Sequence, residues 1–218
     1  MITFLRIISF IILIYFLLVL YRDLYLYPKL ILKCKKLQEK LKLILPDVIK
    51  KLEEYNITYF IFGGTLLGYK RHNKKFIPWD DDIDIVMLYT EDLDTKIKKI
   101  KEDLKNKYEV KNVSFGYKII YEDVFIDLFI YDKDENNKYI STSILARIMW
   151  PNDYFFEHEI YPIKTDFFED VKLNIPFNNE NYLRRQYGDY KKINLTKTHT
   201  NIFDNIVISL TNNTSQLF

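Results

Sequence analysis

Aspartates alternate with apolar residues at the start of a predicted strand, in the stretch "IPWDDDIDIVML". Because strand side chains repeat every two residues, Asp80, Asp82 and Asp84 are predicted to share one face, with Asp81 pointing away from it. Carboxylates held this close repel one another unless a cation neutralises them. A hard divalent cation with oxygen ligands, Mg²⁺ or Mn²⁺, fits this set better than zinc. A solvated acidic turn is the alternative, but it explains acids inside a strand pattern poorly.

A further aspartate lies in the middle of a second apolar strand, "VFIDLFIYD". A buried carboxylate without a partner costs several kcal/mol, so Asp127 needs one. Antiparallel pairing of the two strands is predicted to bring Asp127 beside Asp82 and Asp84. Three carboxylates from two strands suit a phosphoryl-transfer site with one or two metal ions.

The elements before the acidic strand read as a strand, a glycine turn and the start of a helix. The strand is "ITYFIF", the turn is Gly63-Gly64, and "TLLGYKRH" continues as a helix with Thr65 available as its N-cap. Such a turn points backbone N–H groups and the positive end of a helix dipole at a ligand, most commonly phosphate. A helix over 91–107 and a hairpin about Gly116 are predicted between the two acidic strands.

The N-terminus, "MITFLRIISFIILIYFLLVLYRDLYLYP", is apolar over about 20 residues, enough to cross a bilayer core. No small-residue cleavage site follows, which disfavours a signal peptide, and the absence of a polar face disfavours a buried core helix. The sequence therefore predicts a single-pass anchor. The lysine-rich segment that follows has helical periodicity, predicted to be interrupted near Pro46 and to pack on the sheet rather than on a membrane surface.

Two signals on the orientation of the anchor disagree. Basic residues are more numerous after the apolar run than before it, which favours a cytosolic main domain: Arg22, Lys29, Lys33, Lys35 and Lys36. Glycosylation sequons, which have a function only in a secretory lumen, begin at five positions: Asn56, Asn112, Asn194, Asn212 and Asn213. The cytosolic side is slightly favoured over the secretory lumen, because sequons arise by chance in an Asn-rich chain.

Composition excludes several classes of protein. The formal net charge is +2 from 32 basic and 30 acidic residues, so no strong field calls for nucleic acid as a partner. Cys34 is the only cysteine, which excludes an intrachain disulfide and a multi-cysteine zinc site.

The glycine pair, the D-x-D pattern and the later single aspartate resemble the nucleotidyltransferase superfold. The longer string "GGTLLGYKRHNKKFIPWDDDIDIVM" is similar to the LicD family, which includes fukutin and the fukutin-related protein. The stretch "YPIKTDFFEDVKLNIPFNNENYLRRQYGDY" resembles the C-terminal part of the same family. The resemblance covers residues 35–200 approximately and implies an α+β fold: a nucleotidyltransferase-like mixed sheet with flanking helices, here preceded by one N-terminal transmembrane helix.

The family is taken to transfer a phospho-alcohol, such as phosphocholine or ribitol phosphate, from a CDP-activated donor to a glycan hydroxyl. The resemblance thus implies a membrane-anchored phosphotransferase whose partners are a CDP-alcohol donor, a glycan or glycolipid acceptor and the membrane, without nucleic acid. Two alternatives stay open. One is a nucleotidyltransferase that uses a nucleoside triphosphate and releases pyrophosphate; the other is a catalytically silent membrane adaptor that binds no metal.

Carried onto matching positions, the resemblance implies that Asp82 and Asp84 are catalytic metal ligands, with Asp80 assisting. Asp127 takes the third-carboxylate position, either as a metal ligand or as the base for the acceptor hydroxyl. The predicted substrate-binding residues belong to the glycine turn and its helix: Gly63, Gly64, Thr65, Arg71 and His72. A solvated helix end is the alternative for Arg71, and His72 could be a base or merely an exposed polar residue.

The chain departs from the family after its Tyr-Gly-Asp, where "YKKINLTKTHTN" replaces a run with Met, Leu and paired prolines, so the acceptor is not identified. Arg184 and Arg185 are weak candidates for acceptor or phosphate binding. The run Glu157-His158-Glu159 is interpreted as solvated rather than metal-binding. A nearby aromatic cluster is interpreted as core rather than as a sugar platform: Trp150, Tyr154, Phe155 and Phe156.

The predicted organisation has four parts. A transmembrane anchor at residues 1–27 precedes a basic amphipathic helical segment at 28–56. A catalytic domain occupies 57–200, and a C-terminal tail occupies 201–218.

Overall fold

The structure is a computed structural model that describes residues 2–193 and 201–211. The chain divides into two compact units. The helical unit comprises residues 1–36, 78–80 and 192–218, and the sheet unit comprises residues 37–77 and 81–191. The predicted divisions near residues 27, 56 and 200 stay a prediction.

The helices of the described residues are α1 (Ile2–Tyr21), α2 (Tyr27–Glu54), α3 (Gly63–Arg71), α4 (Leu93–Leu104), α5 (Ile144–Met149), α6 (Glu157–Ile160), α7 (Asn179–Tyr187) and α8 (Ile202–Thr211). A π-helical turn, Arg22–Leu26, joins α1 to α2. The strands are β1 (Tyr59–Ile61), β2 (Ile83–Leu88), β3 (Glu109–Val113), β4 (Gly116–Tyr121), β5 (Val124–Lys133), β6 (Lys138–Ser141), β7 (Tyr154–Phe156), β8 (Lys164–Phe168) and β9 (Val171–Ile175).

In the helical unit, α1 is apolar except at Thr3, Arg6 and Ser9, and it exposes most of its large side chains. Among the described residues, one helical stretch, Thr3–Glu54, is long and apolar enough at its N-terminal end to cross a membrane by length and composition. Helix α8 occupies part of the segment predicted as a tail, and it packs on the end of α1.

Helix α2 is continuous through Pro46, so the predicted interruption there is wrong. A proline inside a helix costs about 3 kcal/mol because one backbone hydrogen bond is lost. The neighbouring turns bury an apolar stripe that offsets this loss, each side chain contributing roughly 1.5–3 kcal/mol: Leu41, Ile44, Leu45, Val48, Ile49 and Leu52. Packing of the helix on the sheet unit, which the stripe predicted, therefore overrides the local signal of the proline.

The sheet unit is built on a seven-stranded mixed sheet. Five strands follow the order β1-β2-β5-β4-β3, while β6 pairs with β5 and β7 pairs with β6. Strand β2 is buried throughout except at Asp84, because as a central strand it is covered on both faces. The predicted hairpin about Gly116 is confirmed as β3 and β4. A two-stranded hairpin, β8-β9, lies outside the main sheet.

Strands β2 and β5 pair in parallel, so the predicted antiparallel pairing is wrong. The chain leaves β2 through helix α4, which carries it back along the sheet. Strand β3 therefore runs parallel to β2, and the turns β3-β4 and β4-β5 each reverse the chain, so β5 again runs in the direction of β2. The consequence predicted for the aspartates nevertheless follows, because parallel pairing places Asp84 opposite Asp127.

Candidate active site

Three carboxylates converge where β2 and β5 lie side by side. Asp84 in β2 and Asp127 in β5 are direct neighbours in register, and Asp82 precedes β2 by one residue. Each of the three offers an oxygen within 4.8 Å of the others, close enough to share one metal ion. Asp127 is buried, at 7% exposure, whereas Asp82 and Asp84 are half-buried and reachable from solvent. The structure thus brings together the three predicted catalytic aspartates.

Strand β2 begins only at Ile83, so Asp80 and Asp81 lie before it. The alternation of a strand therefore does not determine which way their side chains point. Asp81 and Asp82 have carboxylate oxygens within 4.8 Å of each other, but Asp81 does not group with Asp84 and Asp127, and its direction away from the cluster stays a prediction. Asp80 belongs to the helical unit, and its role as a metal ligand stays a prediction.

The glycine turn lies directly against Asp84. The N–H of Gly64 donates to Asp84 Oδ2 at 3.2 Å, which places the carboxylate at the positive end of helix α3. Gly63 has φ +56, and a Cβ there would lie 2.6 Å from the same oxygen. Glycine is therefore required at 63 both for the backbone angle and for the space that Asp84 occupies.

Thr65 does not cap helix α3 as predicted, because the helix begins at Gly63 with Phe62 in the N-cap position. The side chain is buried at 2% exposure, and its hydroxyl oxygen accepts the N–H of Asp84 at 2.8 Å. Thr65 and Gly64 together hold the backbone and the carboxylate of Asp84. This contact assigns Thr65 a positioning role, and its predicted contact with phosphate stays a prediction.

Lys118 is a cation at the acidic cluster that the sequence analysis missed. It lies opposite Asp127 in the β4-β5 pairing, and its Nζ is 3.1 Å from Asp127 Oδ1. Residues Asp84, Asp127 and Lys118 therefore form one row across three adjacent strands. Together with the helix dipole at Asp84, this ion pair relieves part of the repulsion among the carboxylates within the protein itself.

A hydrogen-bonded chain connects the glycine turn to helix α7. The N–H of Gly63 donates to the Tyr182 hydroxyl at 3.2 Å, and that hydroxyl donates to Asp153 Oδ1 at 2.7 Å. The Tyr182 ring is fully buried and stacked on Phe155 with centroids 4.1 Å apart. Burial raises the pKa of the Asp153 carboxyl to about 6, against the lowering effect of the Tyr182 and Tyr131 hydroxyls and of Arg185.

The two ends of helix α3 both contact the C-terminal motif. Arg71 Nη1 lies 3.4 Å from the carbonyl oxygen of Tyr190, while its Nε donates to His72 Nε2 at 3.1 Å. Burial, and then the charge of Arg71, lower the pKa of His72 to about 4. The imidazole is therefore neutral near pH 7 and is a weak base there. Both side chains are half-buried, so neither the solvated helix end considered for Arg71 nor the exposed polar residue considered for His72 describes them.

Arg185 is used in an ion pair. Its guanidinium binds Glu159 with both nitrogens, Nη1–Oε1 at 3.0 Å and Nη2–Oε2 at 2.8 Å, and stacks over the Tyr154 ring. Glu159 is 1% exposed and also accepts the N–H of Phe156, so the interpretation of Glu157-His158-Glu159 as solvated is wrong for this residue. A bidentate buried pair leaves Arg185 unsuited to acceptor binding, while Arg184 is exposed.

The aromatic cluster divides between core and surface. Phe155 is fully buried, as predicted, and contacts Phe60 and Tyr182. Trp150 is 40% exposed, so its predicted place in the core is wrong.

These features define a class of protein. In the mixed sheet, a helix begins directly after the first strand, and carboxylates lie at the next strand and on its parallel neighbour. This arrangement is a nucleotidyltransferase-like fold with an acidic site suited to phosphoryl transfer. The chain belongs to the LicD family: residues 56–178 match the family described as "LicD/FKTN/FKRP, nucleotidyltransferase domain".

The chain is similar to three curated bacterial proteins over different lengths. It is 32% identical to an uncharacterized protein of Rickettsia prowazekii over 156 residues, 68% of this chain and 54% of the relative. An uncharacterized protein of Rickettsia typhi is 31% identical over 156 residues, covering 68% of this chain and 46% of the relative. The present chain is also 63% identical to the lipopolysaccharide cholinephosphotransferase LicD of Haemophilus influenzae over 35 residues, which cover 16% of this chain and 13% of that protein. The chain thus spans about half the length of the two rickettsial relatives.

Among solved structures, the chain is similar to ANT(2'')-Ia in complex with adenylyl-2''-tobramycin, with 14% identity and a TM-score of 0.43. The match covers 64% of this chain and 70% of that one. The lincomycin-bound lincosamide antibiotic adenylyltransferase LnuA gives 16% identity, a TM-score of 0.43, and coverage of 76% and 94%.

Proposed function

We propose that this protein is a membrane-anchored, Mg²⁺- or Mn²⁺-dependent phosphotransferase that moves a phospho-alcohol from a CDP-activated donor to a glycan or glycolipid hydroxyl. The observation that carries the proposal is the convergence of Asp82, Asp84 and Asp127 beside the N-terminus of helix α3. LicD family membership supports a phosphotransferase-type enzyme. The short, highly similar match to a lipopolysaccharide cholinephosphotransferase supports a donor of the CDP-choline type and a glycan acceptor.

The carboxylate site fits a divalent cation by chemistry and by geometry. It offers only oxygen atoms, the ligands that hard cations prefer, and these atoms lie within 4.8 Å of one another. Asp82, Asp84 and Asp127 would hold the ion. When bound, the ion would neutralise diphosphate oxygens and stabilise the charge that develops on the leaving phosphate.

In the transfer step, the acceptor oxygen attacks the distal phosphorus of the donor. The bond from that phosphorus to the bridging oxygen breaks, CMP leaves with the bridging oxygen, and the hydroxyl proton passes to a base. The chain contributes orientation: Gly64 and Thr65 fix Asp84, and Lys118 fixes Asp127. Two roles fit Asp127, as the third metal ligand or as the proton acceptor, and they are separable by experiment.

The predicted contact between the glycine turn and a phosphate requires backbone N–H groups that already have hydrogen-bond partners. The N–H groups of Gly63 and Gly64 already donate to Tyr182 and Asp84. A phosphate that reached these groups would have to share or replace those hydrogen bonds. The helix dipole of α3 and the guanidinium of Arg71 are the remaining contributions of this segment to donor binding.

The membrane part of the proposal rests on α1, which is mostly apolar and exposes its large side chains from Phe4 to Leu17. The cytosolic side remains our proposal for the sheet unit. Arg22 contributes less to the positive flank than predicted, because it is 2% exposed and paired with Asp23. Among the sequons, Asn56 and Asn112 are exposed, and those at Asn194, Asn212 and Asn213 lie outside the described residues. A glycosidase-sensitive mass shift after expression in a eukaryotic host would place the sheet unit in the lumen instead.

Product analysis of the purified full chain tests the proposal. CDP-choline, CDP-ribitol and CDP-glycerol are each supplied with Mg²⁺ or Mn²⁺ and a glycan acceptor, and CMP is measured. We expect CMP release from one of these donors, dependent on both metal and acceptor. Pyrophosphate release from a nucleoside triphosphate would favour the nucleotidyltransferase alternative, and absence of both products together with absence of metal binding would favour the adaptor.

A further inference from the structure

Helix α8 lies against the end of α1 inside the helical unit, and its inward face is well packed. Val207 and Ile208 are at most 1% exposed. The Tyr21 hydroxyl donates to Asp204 Oδ1 at 2.9 Å, and the rings of Tyr21 and Phe203 lie 5.8 Å apart, edge to face. The helix is thus attached to the point where α1 ends.

The outward face of α8 is apolar except for the hydroxyl of Ser209. Four large side chains on it are between 50% and 80% exposed: Ile202, Phe203, Ile206 and Leu210. Asp204 is the one charged residue of the helix, and it is 3% exposed on the inward side. A surface helix in water carries charged and polar residues on its outward face, so this pattern indicates a nonaqueous environment.

The buried polar residues Asp204 and Thr211 of α8 are hydrogen-bonded within the helical unit. Asp204 accepts hydrogen bonds from Tyr21 and from the side-chain amide of Asn201. The Thr211 hydroxyl donates to the carbonyl of Val207 at 2.7 Å. At the C-terminal end, the carbonyl of Thr211 accepts from Arg22 Nη1, and the charge of Arg22 is balanced by Asp23. For these groups, the pairing satisfies the requirement that buried polar groups in lipid find partners within the protein.

Helix α1 is also exposed before its contact with α8, since Ile14, Phe16 and Leu17 are 42–53% exposed. Its ten residues extend about 15 Å, half of the roughly 30 Å of a bilayer core, so the helix is too short to cross. We propose that α8 is a second membrane-embedded element, a non-spanning helix that lies in the bilayer against the end of α1, with its outward face on lipid acyl chains. The inference rests on the proposed anchoring by α1.

Depth-dependent fluorescence quenching in lipid vesicles tests the inference on the full chain. Cys34 is replaced by serine, and a single cysteine carrying an NBD fluorophore is introduced at Ile206, or at Leu210 in a second, independent variant. Ile11, 59% exposed on α1, serves as the membrane reference, and Lys105 in the sheet unit, with 55% of its side chain exposed, serves as the water reference. The proteins are reconstituted into phosphatidylcholine vesicles that contain lipids with a nitroxide on the acyl chain.

We expect the probes at 206 and 210 to be quenched to a degree comparable with the probe at 11 and several-fold more than the probe at 105. Quenching at 11 without quenching at 206 and 210 would overturn the inference and leave the proposed anchoring intact. Absence of quenching at all of these positions would contradict the anchoring itself. Energy transfer between probes at 206 that falls as the protein is diluted in lipid, without nitroxide quenching, would show that a second copy of the chain covers this face, and would also overturn the inference.

Discussion

The Tyr182 hydroxyl accepts the backbone N–H of Gly63 at 3.2 Å, although the two residues are 119 positions apart in the chain. Gly63 begins helix α3, and Tyr182 lies in the middle of α7. Because Asp84 contacts Gly63 and Gly64, this hydrogen bond connects the C-terminal motif of the family to the carboxylate site.

Removing the Tyr182 hydroxyl should therefore weaken both the fold and the reaction. In Tyr182→Phe, the N–H of Gly63 and a carboxylate oxygen of Asp153 lose a buried partner, which costs about 1–3 kcal/mol. We expect a lower melting temperature and a reduced kcat for CMP release, with a smaller change in KM for the acceptor. Tyr89→Phe, at a tyrosine that is 50% exposed, is the matched control and should change neither quantity. Parental kcat in Tyr182→Phe would contradict the positioning role.

Replacing Gly63 by alanine should disturb Asp84 directly. The new Cβ would lie 2.6 Å from Asp84 Oδ2, in addition to the strain of φ +56, about 1–2 kcal/mol. Gly188→Ala is a matched control, because Gly188 has φ +64 but no atom within 4 Å of the added Cβ. Both variants should lose some stability by thermal melting, but only Gly63→Ala should lose activity and metal-induced stabilisation. Equal effects on activity would mean that the contact with Asp84 is unimportant.

Two neighbouring glutamates should differ strongly in their contribution to stability. Glu159→Gln leaves the half-buried Arg185 without its bidentate partner, and breaking such a buried pair costs about 3–5 kcal/mol. Glu157 makes an exposed ion pair with Lys133, worth about 0–1 kcal/mol, so Glu157→Gln should be nearly silent. Chemical denaturation of the two variants measures the difference. Similar unfolding midpoints would contradict the structural role of the Glu159–Arg185 pair.

The free energy of unfolding should depend on pH through the carboxyl group of Asp153. Its folded pKa of about 6 is above the ordinary value of 3.8, so the folded state binds the proton more tightly than the unfolded state. The stability that this proton contributes is complete below the unfolded pKa of about 4 and is lost as the pH rises through the folded pKa of about 6, a loss on the order of 1–3 kcal/mol. Asp153→Asn should therefore gain stability relative to the parent as the pH rises from 4 to 7 and level off above that. Thermal melting at a series of pH values tests this, and a difference that shrinks over that interval would show the opposite linkage.

Much of the site could be predicted from local patterns. The glycine pair between a strand and a helix, and the single aspartate in "VFIDLFIYD", each have a signal within a few residues. The register that places Asp84 opposite Asp127 has no such signal, since it depends on how α4 and the β3-β4 hairpin return the chain. Counting the reversals between β2 and β5 would have predicted the parallel direction.

The remaining errors share a physical cause, which is that tertiary packing overrides local preference. Pro46 stays helical because its neighbours are buried, and Thr65 binds Asp84 instead of capping its own helix. Lys118 and Tyr182 reach the site from strand β4 and helix α7, and nothing in their own segments distinguishes them. Arg185 had the residue type of an anion-binding group, but Glu159 lies 26 residues away in sequence and could not be recognised as its partner.

Metal-induced thermal stabilisation of the parent and of single Asp→Asn variants measures whether Asp82, Asp84 and Asp127 hold a divalent cation. A ligand that binds only the folded state raises the melting temperature by mass action. Asp132→Asn, at an exposed aspartate on the same strand as Asp127, is the control.

For the parent and for Asp132→Asn, we predict a higher melting temperature in Mg²⁺ or Mn²⁺, together with CMP release. Asp82→Asn and Asp84→Asn should lose both, while remaining folded without metal because a charge has left a repelling cluster. In Asp127→Asn, loss of both would identify a metal ligand, and loss of CMP release alone would identify the proton acceptor. Metal stabilisation and CMP release that persist at parental levels in Asp84→Asn would contradict the account.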